Sequence, residues 1–195
     1  MNYDKKTIRD IDVSGKRILL RCDFNVPHDK KTGEIHDATR IVASLPTIRY
    51  LLDRGASVII TSHMGRPHGV WKPENSLYSA RDHLEKLLGI PVPMTTDVLG
   101  PDTKAKCAAL RPGKVMLIAN LRFCLEEEKN DPNFAKELAS LADIFVFDAF
   151  GCAHRAHAST AGVADYLPAV AGFLVEKELA FLGKALDEPK RPLVA

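Results

Sequence analysis

Short, uninterrupted apolar runs recur along this chain, and each is followed by a polar turn and then by a segment with helical apolar spacing. The runs are RILLRCDF (17–24), SVIITS (57–62), KVMLIANL (114–121) and IFVFDAF (144–150). A strand without polar alternation belongs in a sheet covered on both faces. Joining such strands through helices requires right-handed βαβ crossovers. The pattern predicts an α/β fold with three layers, a Rossmann-like, mostly parallel sheet with helices on both faces, in a single domain. At 195 residues and 46% apolar content the chain is long enough to fill one core.

Local signals place the helices. Asp37 precedes ATRIVASLPTIRYLLDRG as an N-cap, Gly55 stops that helix, and Pro46 inside it can kink or divide it. Further helices are expected over roughly 77–88 with Ser76 as cap, near 103–110, over 133–143 and over 175–187. A short extended PVPM stands at 91–94, and EEEKND (126–131) reads as a solvated loop and helix start. The last residues, EPKRPLVA, resemble the opening of another buried strand, so the expectation is that 1–187 form the domain and 188–195 begin something longer.

All four apolar runs place an arginine at or just past their end: Arg21, Arg66, Arg122 and Arg155. In a parallel sheet those ends share one edge, and ligands of open α/β sheets bind there. Guanidinium groups gathered on one edge repel one another unless an anion lies between them. Their planar forks suit carboxylate and phosphate oxygens. The segments supply further candidates: Asp23, Phe24 and Asn25 in RCDFNVP, His63, Met64 and Gly65 in SHMGRP, and His154 and His157 in AHRAHAST. Arg40, in the first turn of its helix, either pairs with Asp37 on the surface or points to the same anion. Asp23 and Asn25 either orient a ligand or simply cap a turn. His154 and His157, three residues apart, lack a visible third metal ligand, so a donor-rich anion loop is the more economical reading.

Composition excludes several classes. With 27 basic and 25 acidic residues the formal net charge is +2, so no global basic field invites nucleic acid. No apolar run reaches the length of a membrane span. The charged opening MNYDKKTIRDID is unlike a secretory signal, and Cys22, Cys107, Cys124 and Cys152 show no CxxC spacing; reduced thiols and a cytoplasmic location are expected. Neither GxxxxGK[ST] nor GxGxxG is present, so no ordinary nucleotide cradle is expected.

Taken together, RCDFNVP, DATRI, SHMGRP, NLRF, EEEKND and DAFGCAHRAHASTAG, in that order, resemble the N-terminal domain of phosphoglycerate kinase from about Arg17 to the last residue. The resemblance implies the glycolytic, reversible phosphoryl transfer between 1,3-bisphosphoglycerate and ADP, giving 3-phosphoglycerate and MgATP. It implies that Asp23 and Asn25 meet the glycerate part of the substrate. His63, Arg66, Arg122 and Arg155 would hold its phosphate, with Phe24, Met64 and Gly65 also in the substrate site and Arg21, His154 and His157 as accessories. Arg40 would be the catalytic residue, stabilising charge on the transferring group. MgADP and MgATP belong to the family's C-terminal nucleotide-binding domain, the implied partner, and no cofactor or metal site is expected here.

Four positions depart from the family pattern: Ala119 and Cys124 in ANLRFC, where ENLRFH is usual, and Phe147 and Cys152 in VFDAFGC, where VNDAFGT is usual. If the two segments lay on neighbouring strands, Ala119 and Phe147 would be a compensating size swap and Cys124 and Cys152 would be neighbours. Two other readings stay open at this point, a non-catalytic anion or nucleic-acid binding module and a redesigned scaffold of the same domain.

Overall fold

A computed structural model describes residues 5–29 and 31–187. Within them, β1 (Arg17–Cys22), β2 (Ser57–Thr61), β3 (Val115–Leu117), β4 (Ile144–Asp148) and β5 (Ala169–Ala171) form one parallel sheet in the order β3-β2-β1-β4-β5. Six helices accompany it: α1 (Thr39–Asp53), α2 (Tyr78–Leu88), α3 (Pro101–Ala109), α4 (Leu125–Glu128), α5 (Pro132–Ala139) and α6 (Phe173–Asp187). β1 is the first strand laid down, and the chain steps from it outward to β3 before returning to place β4 on its other side. That reversal opens a crevice outside the carboxyl ends of β1 and β4. Crossover handedness puts α1 and α2 on one face, where α6 also packs on α1, and α5 on the other with the turn Gly162–Asp165.

The strands are apolar through their middles because both of their faces are covered. Leu19, Leu20, Ile59, Ile60, Met116 and Val146 are fully buried in one continuous core. Register pairs Arg21 with Thr61 on one side and Phe147 on the other, and Cys22 with Asp148.

Local chemistry sets the helix ends. The carboxylate of Asp37 accepts from the Thr39 amide (2.8 Å) and hydroxyl (2.5 Å), although the cap position itself is Ala38. α1 passes through Pro46 as one helix. Asp131 caps α5 by accepting from Asn133 and Phe134, with Pro132 in the first turn. The C-cap of α2 is Gly89 in the left-handed region.

The structure corrects the sequence reading in several places. α5 ends at Ala139, and α6 begins at Phe173. β5 was not anticipated, because three residues between Pro168 and Gly172 give no periodicity to read. The expected strand start at 192–195 lies outside the described residues. β3 and β4 are not neighbours: β2 and β1 lie between them. Ala119 and Phe147 therefore make no size-swapped pair, and the argument joining Cys124 to Cys152 loses its premise. All four cysteines are free thiols.

Candidate anion site at the carboxyl edge of the sheet

The crevice is built around a buried arginine. Arg21 lies within β1 and is 1% exposed. A permanently protonated guanidinium can be buried only if its N–H groups are taken up. Its Nε donates to Ser159 Oγ (2.8 Å), Nη1 donates to the Cys22 carbonyl, and Nη2 faces His63 Nδ1 at 3.0 Å. Because arginine has no lone pair to offer, His63 Nδ1 must accept, which assigns the imidazole proton to Nε2. Burial, then the charges of Arg21, Arg122 and Arg155, drive the His63 pKa far below its ordinary value. His63 is thus a neutral ring held by one nitrogen.

Behind Arg21 stands a carboxylate that the sequence hid. Glu127, in α4, is fully buried and accepts from the Ser159 hydroxyl (2.5 Å) and amide (2.9 Å). Its Oε1 lies 3.9 Å from His157 Nδ1. Burial lowers the His157 pKa and Glu127 opposes it. The relay from Arg21 through Ser159 to Glu127 ties the loop after β4 to the sheet. The run 126–131 is therefore not simply a solvated loop. Glu128 also turns inward, 3.4 Å from Arg122 Nε and 3.8 Å from His68 Nδ1. A helix of four residues packed on the strand ends gives no apolar period that would reveal this.

Arg122 sits in the 3-10 turn after β3 and is 2% exposed. Its Nη1 donates to the Gly65 carbonyl (2.8 Å), which fixes the fork against the loop after β2. The Nε contact with Glu128 is an ion pair without hydrogen-bond geometry, and both Nε and Nη2 are buried without a hydrogen-bond partner. Burial lowers the Arg122 pKa, Glu128 counters it, and Arg155 and Arg21 add to the lowering. Arg155, half-buried, likewise has a buried Nε with no partner. Buried donors left unfilled are rare in folded proteins because each costs desolvation.

The other candidates fall into distinct groups. Asp23, just past β1, pairs through Oδ2 with Arg40 Nη1 at 2.6 Å and accepts the Asn25 amide on Oδ1 at 3.2 Å. Arg40 is thus paired, with Asp23 and not with Asp37. Asn25 Oδ1 accepts from the Gly65 amide (2.9 Å), joining the loops after β1 and β2. Gly65 has φ +62°, in the left-handed region that favours glycine, and a Cβ there would press on the side-chain amide of Asn75. Phe24 and Met64 have their side chains in the core, with the Phe24 amide donating to Ser62 Oγ and the Met64 carbonyl accepting from Asn120 Nδ2. Neither offers a side chain to the crevice. Arg66 and His154 are exposed and make no hydrogen bond or ion pair among the described residues. Ser62, Asn120, Glu127 and Ser159 hold the site and were not singled out from the sequence.

Asp23, His63 and Cys152 bring one ligand atom each within 4.8 Å of one another, a trio that the sequence did not disclose. Two of the three are already engaged, Asp23 by Arg40 and His63 by Arg21. Burial raises the Cys152 pKa, with the nearby arginines opposing it. Three guanidinium groups around neutral or already paired groups favour an anion in this crevice over a cation.

A family model described as phosphoglycerate kinase matches residues 8–195. The chain belongs to the phosphoglycerate kinase family. It is 58% identical over 191 residues to the phosphoglycerate kinase of Moorella thermoacetica, covering 98% of this chain and 48% of that relative. It is 54% identical over 191 residues to that of Desulforudis audaxviator, with the same coverage. Among solved structures, phosphoglycerate kinase from Coxiella burnetii superposes with a TM-score of 0.87 at 41% identity, covering 97% of this chain and 47% of that one. The enzyme from Pyrococcus horikoshii gives 0.87 at 33% identity, covering 96% and 47%. The chain thus spans about half the length of the phosphoglycerate kinases it matches. No helix of the described residues is long and apolar enough to cross a membrane.

Proposed function

We propose that this chain is the substrate-binding half of a phosphoglycerate kinase and that it binds 3-phosphoglycerate at the arginine edge. The observation that carries the reading is the set of buried guanidinium N–H groups without partners, Arg122 Nε and Nη2 and Arg155 Nε. A phosphate or carboxylate would give these donors the acceptors they lack. Neutral His63 adds an N–H donor at Nε2 that carries no charge to be desolvated. Asp23 and Asn25 would receive the glycerate hydroxyl, and Arg66 would close over the phosphate from the exposed loop.

Arg40 would have the catalytic role. It is half-exposed, at the rim of the crevice, and is held in place by Asp23. Phosphoryl transfer depends on positioning and on charge stabilisation, which a guanidinium supplies where negative charge gathers. The acyl phosphate must meet the nucleotide in one water-poor cleft. The resemblance assigns MgADP and MgATP, as substrates, to the half of the family beyond this span. In this reading residues 1–187 form the substrate domain, 188–195 lead to the other half, and the chain alone does not turn over.

Calorimetric titration of 3-phosphoglycerate into the purified chain tests the binding. Arg155→Ala removes a charge-assisted donor worth roughly 1.5–3 kcal/mol, reduced by salt at this open site, so affinity should fall about tenfold or more. Equal affinity in parent and variant would overturn the assignment of that loop. Steeply salt-dependent binding of an oligonucleotide that outcompetes 3-phosphoglycerate would favour a plain anion module. ATP formation by the purified chain alone in a coupled assay would overturn the claim of inactivity.

A further inference from the structure

At the opposite end of β3 from Arg122 lies a cavity of about 360 Å³ between β3, the extended segment before Met94 and the end of α3. Its floor is Val115 and Met116, both buried in the sheet, and its walls are Pro91, Pro93 and Leu110. β3 is an edge strand, and the 91–94 segment covers it only in part, through a single bridge from Met94 to Leu117. An apolar hollow is left on the surface where a longer strand would have lain. Its volume falls in the range of small-molecule sites, which are mostly apolar with a few polar groups that fix orientation.

The charges at its mouth have one sign. Lys106, Arg111 and Lys114 line the cavity, and no carboxylate does. Lys106 is engaged by Asp102 (2.7 Å) and the Met94 carbonyl (3.1 Å). The side chains of Arg111 and Lys114 are exposed and make no hydrogen bond or ion pair among the described residues, while their backbones hold the turn before β3. An apolar floor beneath two uncommitted cations complements a ligand with an apolar body and one anionic head. Pro91, Pro93 and Leu110 give that body flat apolar walls, and a rigid ring loses little entropy on binding between them.

We infer that this cavity is a second ligand site, separate from the arginine edge, for a small aromatic carboxylate whose ring packs between Pro91, Pro93 and Leu110, above Val115 and Met116, and whose carboxylate meets Arg111 and Lys114.

The chain carries its own reporters for the test. Met64 packs in the core beneath the arginine edge, next to Gly65, and Met116 packs beneath the cavity, so methyl-labelled methionine distinguishes perturbation of the two sites by NMR. Titration with 2-naphthoate should shift the Met116 methyl saturably and leave Met64 unmoved, and excess 3-phosphoglycerate should not reverse it. The cationic isostere 2-naphthylmethylamine should leave Met116 unmoved. Arg111→Glu with Lys114→Glu, both exposed and so safe for folding, should weaken 2-naphthoate about tenfold. Ala109→Trp, which fills the wall from an exposed position, should abolish the shift. A shift at Met64 alone, equal binding of amine and acid, or an unchanged affinity in the double variant would each overturn the proposal.

Discussion

Asp148 ends β4 in a position that should make stability fall as the solution becomes less acidic. Its Oδ1 accepts from the Leu174 amide (2.9 Å) and the Val175 amide (3.3 Å) at the start of α6. Its Oδ2 is buried without a hydrogen-bond partner, and Gly172 lies so close that a Cβ there would come within 2.4 Å of the carboxyl carbon. Burial keeps water from the second oxygen. Burial pushes the pKa up to about 6, against the pull of the nearby Thr47 hydroxyl and the two helix amides. A folded value above the unfolded one means that the native state holds the proton more tightly. The stability this confers is present below the ordinary aspartate value of 3.8 and is lost as pH rises through about 6. The difference between 3.8 and about 6 corresponds to roughly 3 kcal/mol. Asp148→Asn keeps an acceptor for both amides and cannot ionise. Urea denaturation followed by circular dichroism, at about pH 4 and about pH 7.5, should find the variant close to the parent in acid and more stable by up to roughly 3 kcal/mol at the higher pH. Other titrating groups cancel in the comparison. A difference between variant and parent that is the same at both pH values would refute the reasoning.

Two further outcomes follow from the site. Glu127→Gln leaves the shape of the relay but removes its charge, so unfolding free energy should drop by about 1.5–3 kcal/mol, with faster amide exchange at Ser159 than in the parent; unchanged exchange there would remove Glu127 from its anchoring role. Gly65→Ala should cost about 1–2 kcal/mol for the left-handed backbone and more if Asn75 cannot move aside, read by the same denaturation, and it should also weaken 3-phosphoglycerate because Gly65 orients both Asn25 and Arg122.

The sheet was legible because its strands are apolar on both faces, and nothing but burial explains RILLRC or SVIIT. The edge that gathers Arg21, Arg122 and Arg155 was legible for the same reason, since Arg21 lies at the end of its strand and the other two lie in the loops that follow theirs. Strand order was not. Nothing local in KVMLIANL or IFVFDAF says which neighbour either will take, and treating them as adjacent produced the mistaken pairing of Ala119 with Phe147. Buried polar supports were also hidden. Glu127 stands between two other glutamates and differs from them only through where α4 docks, and Ser159 reads as loop until Arg21 is seen to need an acceptor. Burial likewise separated Phe24 and Met64, which pack inward, from Asp23 and Asn25 beside them.

The placement of β1 between β2 and β4 has a consequence for the order of events in folding. Arg21 is met early in the chain, yet its acceptor Ser159 lies 138 residues further on. Until β4 has docked on β1, the guanidinium has no buried partner on that side and must remain hydrated, so the centre of the sheet cannot close dry around it. Contacts of such long sequence separation form late, because loop-closure entropy must be overcome before they contribute. The anion crevice should therefore come into being only with the final assembly of the sheet. An anion that fills it would slow global unfolding without speeding the early steps of folding.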